Sequence, residues 1–287
     1  MTHDTATSMD RRTALKTLGS VTLVGLAGCN GTSTSTTPSG TSPTSTTTAT
    51  GPFTSISVQG TTLVVEVDAS ADVDHVNLVK PNDSLFGKRS LAAGAHRVSF
   101  DVGTAYSPGT YKIVAVNKGK SIATVRRSLQ PDLEIETMGV GRNHPSKMWN
   151  GTERDPSTQA FVVVKNRGNG PTAVTKLLFM GDVPYPSGKN GTNYANTDAS
   201  GIYDPEAQSE VSNIVIPPGT QKTLYSSRSP FVFIHGGEVV CKDTKQEGTF
   251  TLTLQTSVTS NPVSQKYHIT YSASDQFNNC SISLTEA

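Results

Sequence analysis

Three cysteines, one tryptophan and six histidines are scarce reactive side chains for a chain of 287 residues. Each scarcity narrows what the protein does. No two cysteines stand in CxxC spacing, which disfavours a thiolate metal site. The histidines are scattered, with no two at i, i+2 or i+4, and no HExxH or GxSxG motif occurs, so the common zinc-hydrolase and serine-hydrolase signatures are missing. Gly119-Lys120-Ser121 has the end of a phosphate loop, but Val114 stands where the first glycine belongs, and a structural turn is the better reading. An excess of charge is also missing, with 24 Lys+Arg against 23 Asp+Glu, which gives no reason to expect nucleic acid as a partner. No apolar run reaches the roughly 20 residues that span a bilayer. Helical periodicity is nearly absent after Gly51.

The first 52 residues have a composition of their own. Arg11 and Arg12 precede a short, weakly apolar stretch from Leu18 to Ala27. A basic start and a brief apolar core read as an export signal. The arginine pair resembles a twin-arginine signal, and Leu26-Ala27-Gly28-Cys29 resembles a lipobox. The resemblance implies a leader over residues 1–28 and a lipid on the Cys29 thiol, holding the chain to the outer face of the cytoplasmic membrane. Asn30 to Pro52 is almost wholly Thr, Ser, Gly and Pro. It has no apolar face to offset the entropy of folding, so residues 29–52 read as a disordered stalk. A Thr-rich tether behind such a leader resembles the exported lipoproteins of salt-loving archaea. Without the leader this chain carries 24 − 3 = 21 bases and 23 − 2 = 21 acids.

With Cys29 lipidated, Cys241 and Cys280 remain. In an exported chain they most simply form a disulfide, two free thiols or a metal pair being the alternatives. Asn82, Asn150, Asn190 and Asn279 each begin an Asn-x-Ser/Thr sequon and are candidate N-glycan acceptors.

Beyond the stalk, strand patterns recur. Val98, Phe100 and Val102 alternate onto one face, and Tyr111 to Val116 meets Asn117-Lys118-Gly119-Lys120 before the chain returns, a hairpin signal. Short strands with such turns predict an antiparallel sandwich over residues 53–129. "PGTYKIVAV" resembles the late strands of immunoglobulin-like surface domains, with Tyr111 as a core tyrosine. Gln130-Pro131-Asp132 marks a boundary. "PDLEI" followed by "FVVVKNRGNGPTA" resembles the CARDB-type adhesion domain, which implies a second, larger sandwich over residues 130–287. Further strands are expected at Thr223–Tyr225, Phe231–Ile234, Val239–Cys241, Thr249–Thr256, Gln265–Tyr271 and Cys280–Leu284. The fold class is therefore all-β, with two immunoglobulin-like antiparallel sandwiches.

Two long insertions interrupt the second sandwich. Arg142 to Ser157 holds Trp149, and Pro184 to Glu210 holds Tyr185, Tyr194 and Tyr203 among Asn, Gly and Thr. Long loops on a rigid scaffold commonly bind, and aromatic rings among amides and hydroxyls suit a sugar or a protein. The competing reading is that these rings pin the loops to the sheet. Asp72, Asp74 and His75 form one acidic cluster and Asp198, Asp204 and Glu206 another, each better read as a solvated loop than as a metal site. Neither a cofactor nor a metal is expected. The expectation is a non-catalytic, lipid-anchored surface protein for adhesion, surface-layer association or accessory protein binding. The alternative is a glycan- or solute-binding lipoprotein that uses the loops around Trp149 and Tyr194.

Overall fold

In the computed structural model, the described residues are 51–150, 156–185, 197–233, 241–259, 261–272 and 280–287. They belong to one compact unit, in which every strand pairing is antiparallel. The chain is all-β, built as two sandwiches. Arg11, Arg12, Cys29, Tyr194, Asn190 and Asn279 lie outside the described residues, as does the expected strand at Val239 and Val240.

The first sandwich holds β1 (Phe53–Gln59), β2 (Thr62–Val67), β3 (His75–Val79), β4 (Leu85–Ser90), β5 (Arg97–Asp101), β6 (Gly109–Asn117) and β7 (Lys120–Leu129). One sheet runs β1-β2-β5 and the other β4-β3-β6-β7, an arrangement of the immunoglobulin kind. Strand parity decides the core. Val98 and Phe100 on β5 turn inward, as do Tyr111, Ile113 and Ala115 on β6. The β6–β7 hairpin closes where Asn117 pairs with Lys120, and both turn residues, Lys118 and Gly119, have positive φ. That matches the twist of the flanking strands. Tyr111 is buried, and its hydroxyl donates to the Ser107 carbonyl four residues upstream at 3.0 Å. This is the tyrosine corner of immunoglobulin-like sandwiches.

The second sandwich holds β8 (Leu133–Val140), β9 (Ala160–Asn166), β10 (Thr172–Gly181), β11 (Ile202–Asp204), β12 (Ser209–Glu210), β13 (Ile214–Ile216), β14 (Gln221–Ser226), β15 (Gln246–Thr256), β16 (Val263–Ser272) and β17 (Ser281–Glu286). Its sheets run β12-β11-β14-β9-β8 and β13-β10-β15-β16-β17. Cys241 and Cys280 are disulfide-bonded, their Cα atoms 6.1 Å apart, and the bridge anchors the start of edge strand β17. Phe231 to Phe233 forms no strand, contrary to the expectation for Phe231–Ile234. Phe231 is fully buried instead, edge-on to Phe179 and Phe250. That stretch is apolar because it fills the core as a loop. Hydrophobicity alone does not separate the two cases.

The joint between the sandwiches is built from Asn166-Arg167-Gly168-Asn169-Gly170. Asn166 is fully buried and has all its side-chain partners. Its Oδ1 accepts from the Asp132 and Gly168 N–H groups, and its Nδ2 donates to the Gly170 and Ile216 carbonyls. Asn169 donates its N–H to the Gln130 carbonyl and accepts the Gln130 N–H on its side chain. Gly170 lies so close that a Cβ there would meet the Tyr106 hydroxyl at 2.1 Å and the Gln130 nitrogen at 2.7 Å. The connector is thus gripped by a turn of the second sandwich, and only glycine allows that approach.

Candidate functional site

Strand β9 is buried on both faces, which explains why Ala160 to Val164 are apolar without alternation. Ala160, Val162 and Val164 enter the core between the sheets. Phe161 and Val163 face outward and form a second, smaller cluster with Met148. The cover is the start of the first insertion, residues 142–150, folded back over the sheet. His144 lies edge-on to Phe161 with ring centroids 5.6 Å apart. A Cβ at Gly139 would clash with both rings, at 2.6 Å from Phe161 and 2.8 Å from His144, so glycine makes room for the cover.

The root of this insertion is tied to the disulfide-bonded end of the sandwich. The Arg142 guanidinium donates to the Cys280 carbonyl at 2.9 Å and to the Phe231 carbonyl at 3.2 Å. Asn143 donates to the Ile282 carbonyl at 2.7 Å. The tip is held by Tyr225, whose hydroxyl donates to the Lys147 carbonyl at 3.1 Å. Burial pushes the Tyr225 phenol pKa up, keeping it a donor.

Trp149 completes the cover. Tyr203 and Tyr225 are direct cross-strand partners on β11 and β14 and so share a face. Trp149 lies tilted on Tyr203 at 4.7 Å and edge-on to Tyr225 at 5.2 Å. Tyr203 is buried beneath it, while Trp149 stays half-buried. The three rings wall a cleft of about 560 Å³. Its remaining lining comes from the Asp204-Pro205-Glu206 turn, from Asn213 to Val215, and from Lys222 and Thr223. Asp204 Oδ1 accepts the Glu206 N–H at 2.9 Å, fixing the turn. Gln221, Lys222 and Thr223 are exposed in succession. Among the described residues, β14 pairs with β9 alone between Gln221 and Leu224.

Behind the cleft, Glu210 holds the ends of β11 and β14. It accepts the Ser200 N–H at 2.9 Å, the Gly201 N–H at 3.3 Å and the Ser227 hydroxyl at 2.6 Å. Burial works against ionisation of Glu210. The Ser227 hydroxyl, the two backbone N–H groups and nearby Arg228 outweigh it and hold the carboxyl below its usual range.

Of the expected binding residues, the fold brings Trp149 and Tyr203 together. Tyr185 does not line this cleft. It is exposed, and its N–H bonds to the Pro230 carbonyl. Tyr225 is an addition, expected only as a strand residue, although its place beside inward-facing Leu224 turns it outward by parity. Asn150 is exposed directly after Trp149, and Asn82 is exposed in a turn where its side chain accepts from Ser84. Asp74 accepts the Lys118 N–H. Among the described residues, no group of three or more His, Cys, Asp or Glu is placed to hold a metal ion, and no helix is long and apolar enough to cross a membrane.

No family model matches the sequence, and no curated protein is similar to it. Among solved structures, a β-glucuronidase of glycoside hydrolase family 2 aligns at 17% identity and TM-score 0.23, over 79% of this chain and 21% of that one. The human OSCAR ligand-binding domain aligns at 10% identity and TM-score 0.21, over 79% of this chain and 88% of that one. A Salmonella α2-macroglobulin mutant aligns at 10% identity and TM-score 0.20, over 74% and 14%. The chain thus spans about a fifth of the length of the glycoside hydrolase. At these TM-scores the likenesses carry no argument about what the chain does.

Proposed function

We propose that this chain is a lipid-anchored, non-catalytic binding protein of the cell surface, acting in adhesion, surface-layer association or accessory protein binding. Arg11 and Arg12 direct its export, and Cys29 carries the lipid. Residues 29–52 then hold the two sandwiches away from the outer face of the membrane, where Asn82, Asn150, Asn190 and Asn279 are available for N-glycans. The observation that carries the binding role is the cleft walled by Trp149, Tyr203 and Tyr225. Folding residues 142–150 over the sheet to build an open aromatic wall costs conformational entropy, which favours a surface that is used over one that only seals the sheet. A second reading, a bound glycan or solute, is favoured by the mixture of rings, carboxylates and an amide in that lining.

The test is lysine-directed cross-linking on intact cells, read by mass spectrometry. Lys147 is exposed on the insertion beside the cleft. The expected result is that Lys147 links to one dominant surface component, and that the link is lost in Trp149→Ala. Links confined to the chain itself count against a protein partner. The anchor is tested separately: Cys29→Ser is expected to abolish labelling by a lipid precursor and release the protein from membranes.

A further inference from the structure

We infer that the Trp149 cleft binds a neutral pyranose ring and discriminates against acidic sugars. This deepens the binding reading above and rests on it. A pyranose has one apolar C–H face and a rim of hydroxyls, so its site needs a flat aromatic surface beside groups that both donate and accept. The half-buried indole of Trp149 is held in position from two sides, by Tyr203 at 4.7 Å and Tyr225 at 5.2 Å. Such a ring lies ready to stack without losing rotamer freedom on binding. The surface it leaves uncovered faces a cleft of about 560 Å³, within the usual size of small-ligand sites.

The rim supplies the hydrogen bonds. Asp204 and Glu206 are brought to one side of the cleft by the turn that the Asp204 side chain stabilises, and Asn213 and Lys222 also line it. Carboxylates accept from sugar hydroxyls, the lysine donates to hydroxyl or ring oxygens, and the Asn213 amide can do both. Charge decides the class of sugar. Among the described residues that line the cleft, two carboxylates against one ammonium leave an excess of one negative charge. A uronic acid would bring a further carboxylate against Asp204 and Glu206, and like charges at close range oppose binding. A neutral ring meets no such penalty.

The experiment uses full-length protein in detergent micelles, with Trp149 fluorescence as the readout because the chain has one tryptophan. The probes are mannotriose and chitotriose as neutral trisaccharides and trigalacturonate as the acidic one. A neutral trisaccharide is expected to shift the emission saturably and to show saturation transfer by NMR. Trigalacturonate is expected to bind at least about tenfold more weakly. Asp204→Asn combined with Glu206→Gln is expected to narrow that gap by about tenfold, because removing the charges removes the discrimination. Trp149→Phe keeps an aromatic plug on the sheet and is expected to weaken saturation transfer from the neutral sugar. Equal or tighter binding of the uronate, or no response to either neutral sugar, overturns the proposal. If the Lys147 cross-link to a surface protein survives that failure, only the sugar class is lost. If the cross-link is also missing, the binding role fails with it.

Discussion

The two sandwiches share one strand plan and use it differently. In each, the first, second and fifth strands of the plan form one sheet: β1, β2 and β5 in the first, β8, β9 and β14 in the second. The opposing sheets match as β4-β3-β6-β7 and β13-β10-β15-β16. The likeness extends to sequence in the strand that centres each second sheet. Gly109-Thr110-Tyr111-Lys112-Ile113 on β6 corresponds to Gly248-Thr249-Phe250-Thr251-Leu252 on β15, and both bury the aromatic and the aliphatic residue. The first sandwich has little beyond the plan and is fastened by the Tyr111 hydroxyl bond. The second has Phe250 at that place and no hydroxyl to offer. It adds β11, β12 and β17, a folded-back insertion and a disulfide, and the cleft forms where the insertion and β11 meet the plan strands β13 and β14. The comparison teaches that a common sandwich supplies rigidity, and that added elements packed against its strands shape a cleft that the plain sandwich does not need.

Removing the disulfide should separate the halves most. Cys241→Ser with Cys280→Ser opens a loop closed across a sequence separation of 39 residues. In the chain-entropy model that costs about 4 kcal/mol. Denaturant unfolding followed by Trp149 fluorescence should move to a much lower midpoint. Amide exchange of β6 and β7 should keep its protection. Equal loss of protection in the first sandwich would mean that the two unfold as one cooperative body.

Asn166→Ala attacks the joint. It leaves the Asp132 and Gly168 N–H groups and the Gly170 and Ile216 carbonyls short of a partner. The expected cost is about 3 kcal/mol, since buried polar groups that lose their partners are expensive. Exchange at Gln130 and Asp132 should accelerate. Unchanged exchange there would show that the turn does not grip the connector.

Tyr111→Phe makes the first sandwich resemble the second. It deletes one hydrogen bond and should cost about 1 kcal/mol, confined to β1–β7. A shift in the Trp149-reported transition would contradict that confinement.

The smallest expected effect is on pH dependence. Glu210 has its folded pKa lowered below an unfolded value of about 4.3. Its contribution is therefore present above about pH 4.3 and lost as pH falls through the folded pKa. Denaturant midpoints of the second sandwich, measured from about pH 6 to about pH 3, should fall more steeply for the native chain than for Glu210→Gln. The same slope in both would remove Glu210 as the cause.

The sequence by itself determined the elements whose signal is local. Period-two alternation marked β5, the Asn-Lys-Gly-Lys turn marked the hairpin of β6 and β7, and the two cysteines other than Cys29 marked the bridge. The tertiary structure decided what depends on distant partners. Trp149, Tyr203 and Tyr225 are far apart in the chain and meet only because β11 pairs with β14 and an insertion folds over both. Strands β11 to β13 are two or three residues long, too short for any period to show. Phe231 reads like a strand residue, and only the three-dimensional core shows it filling a loop position. The "NRGNG" turn was legible as a turn. Its grip on the connector was not, because hydrogen bonds between segments about 35 residues apart leave no local trace.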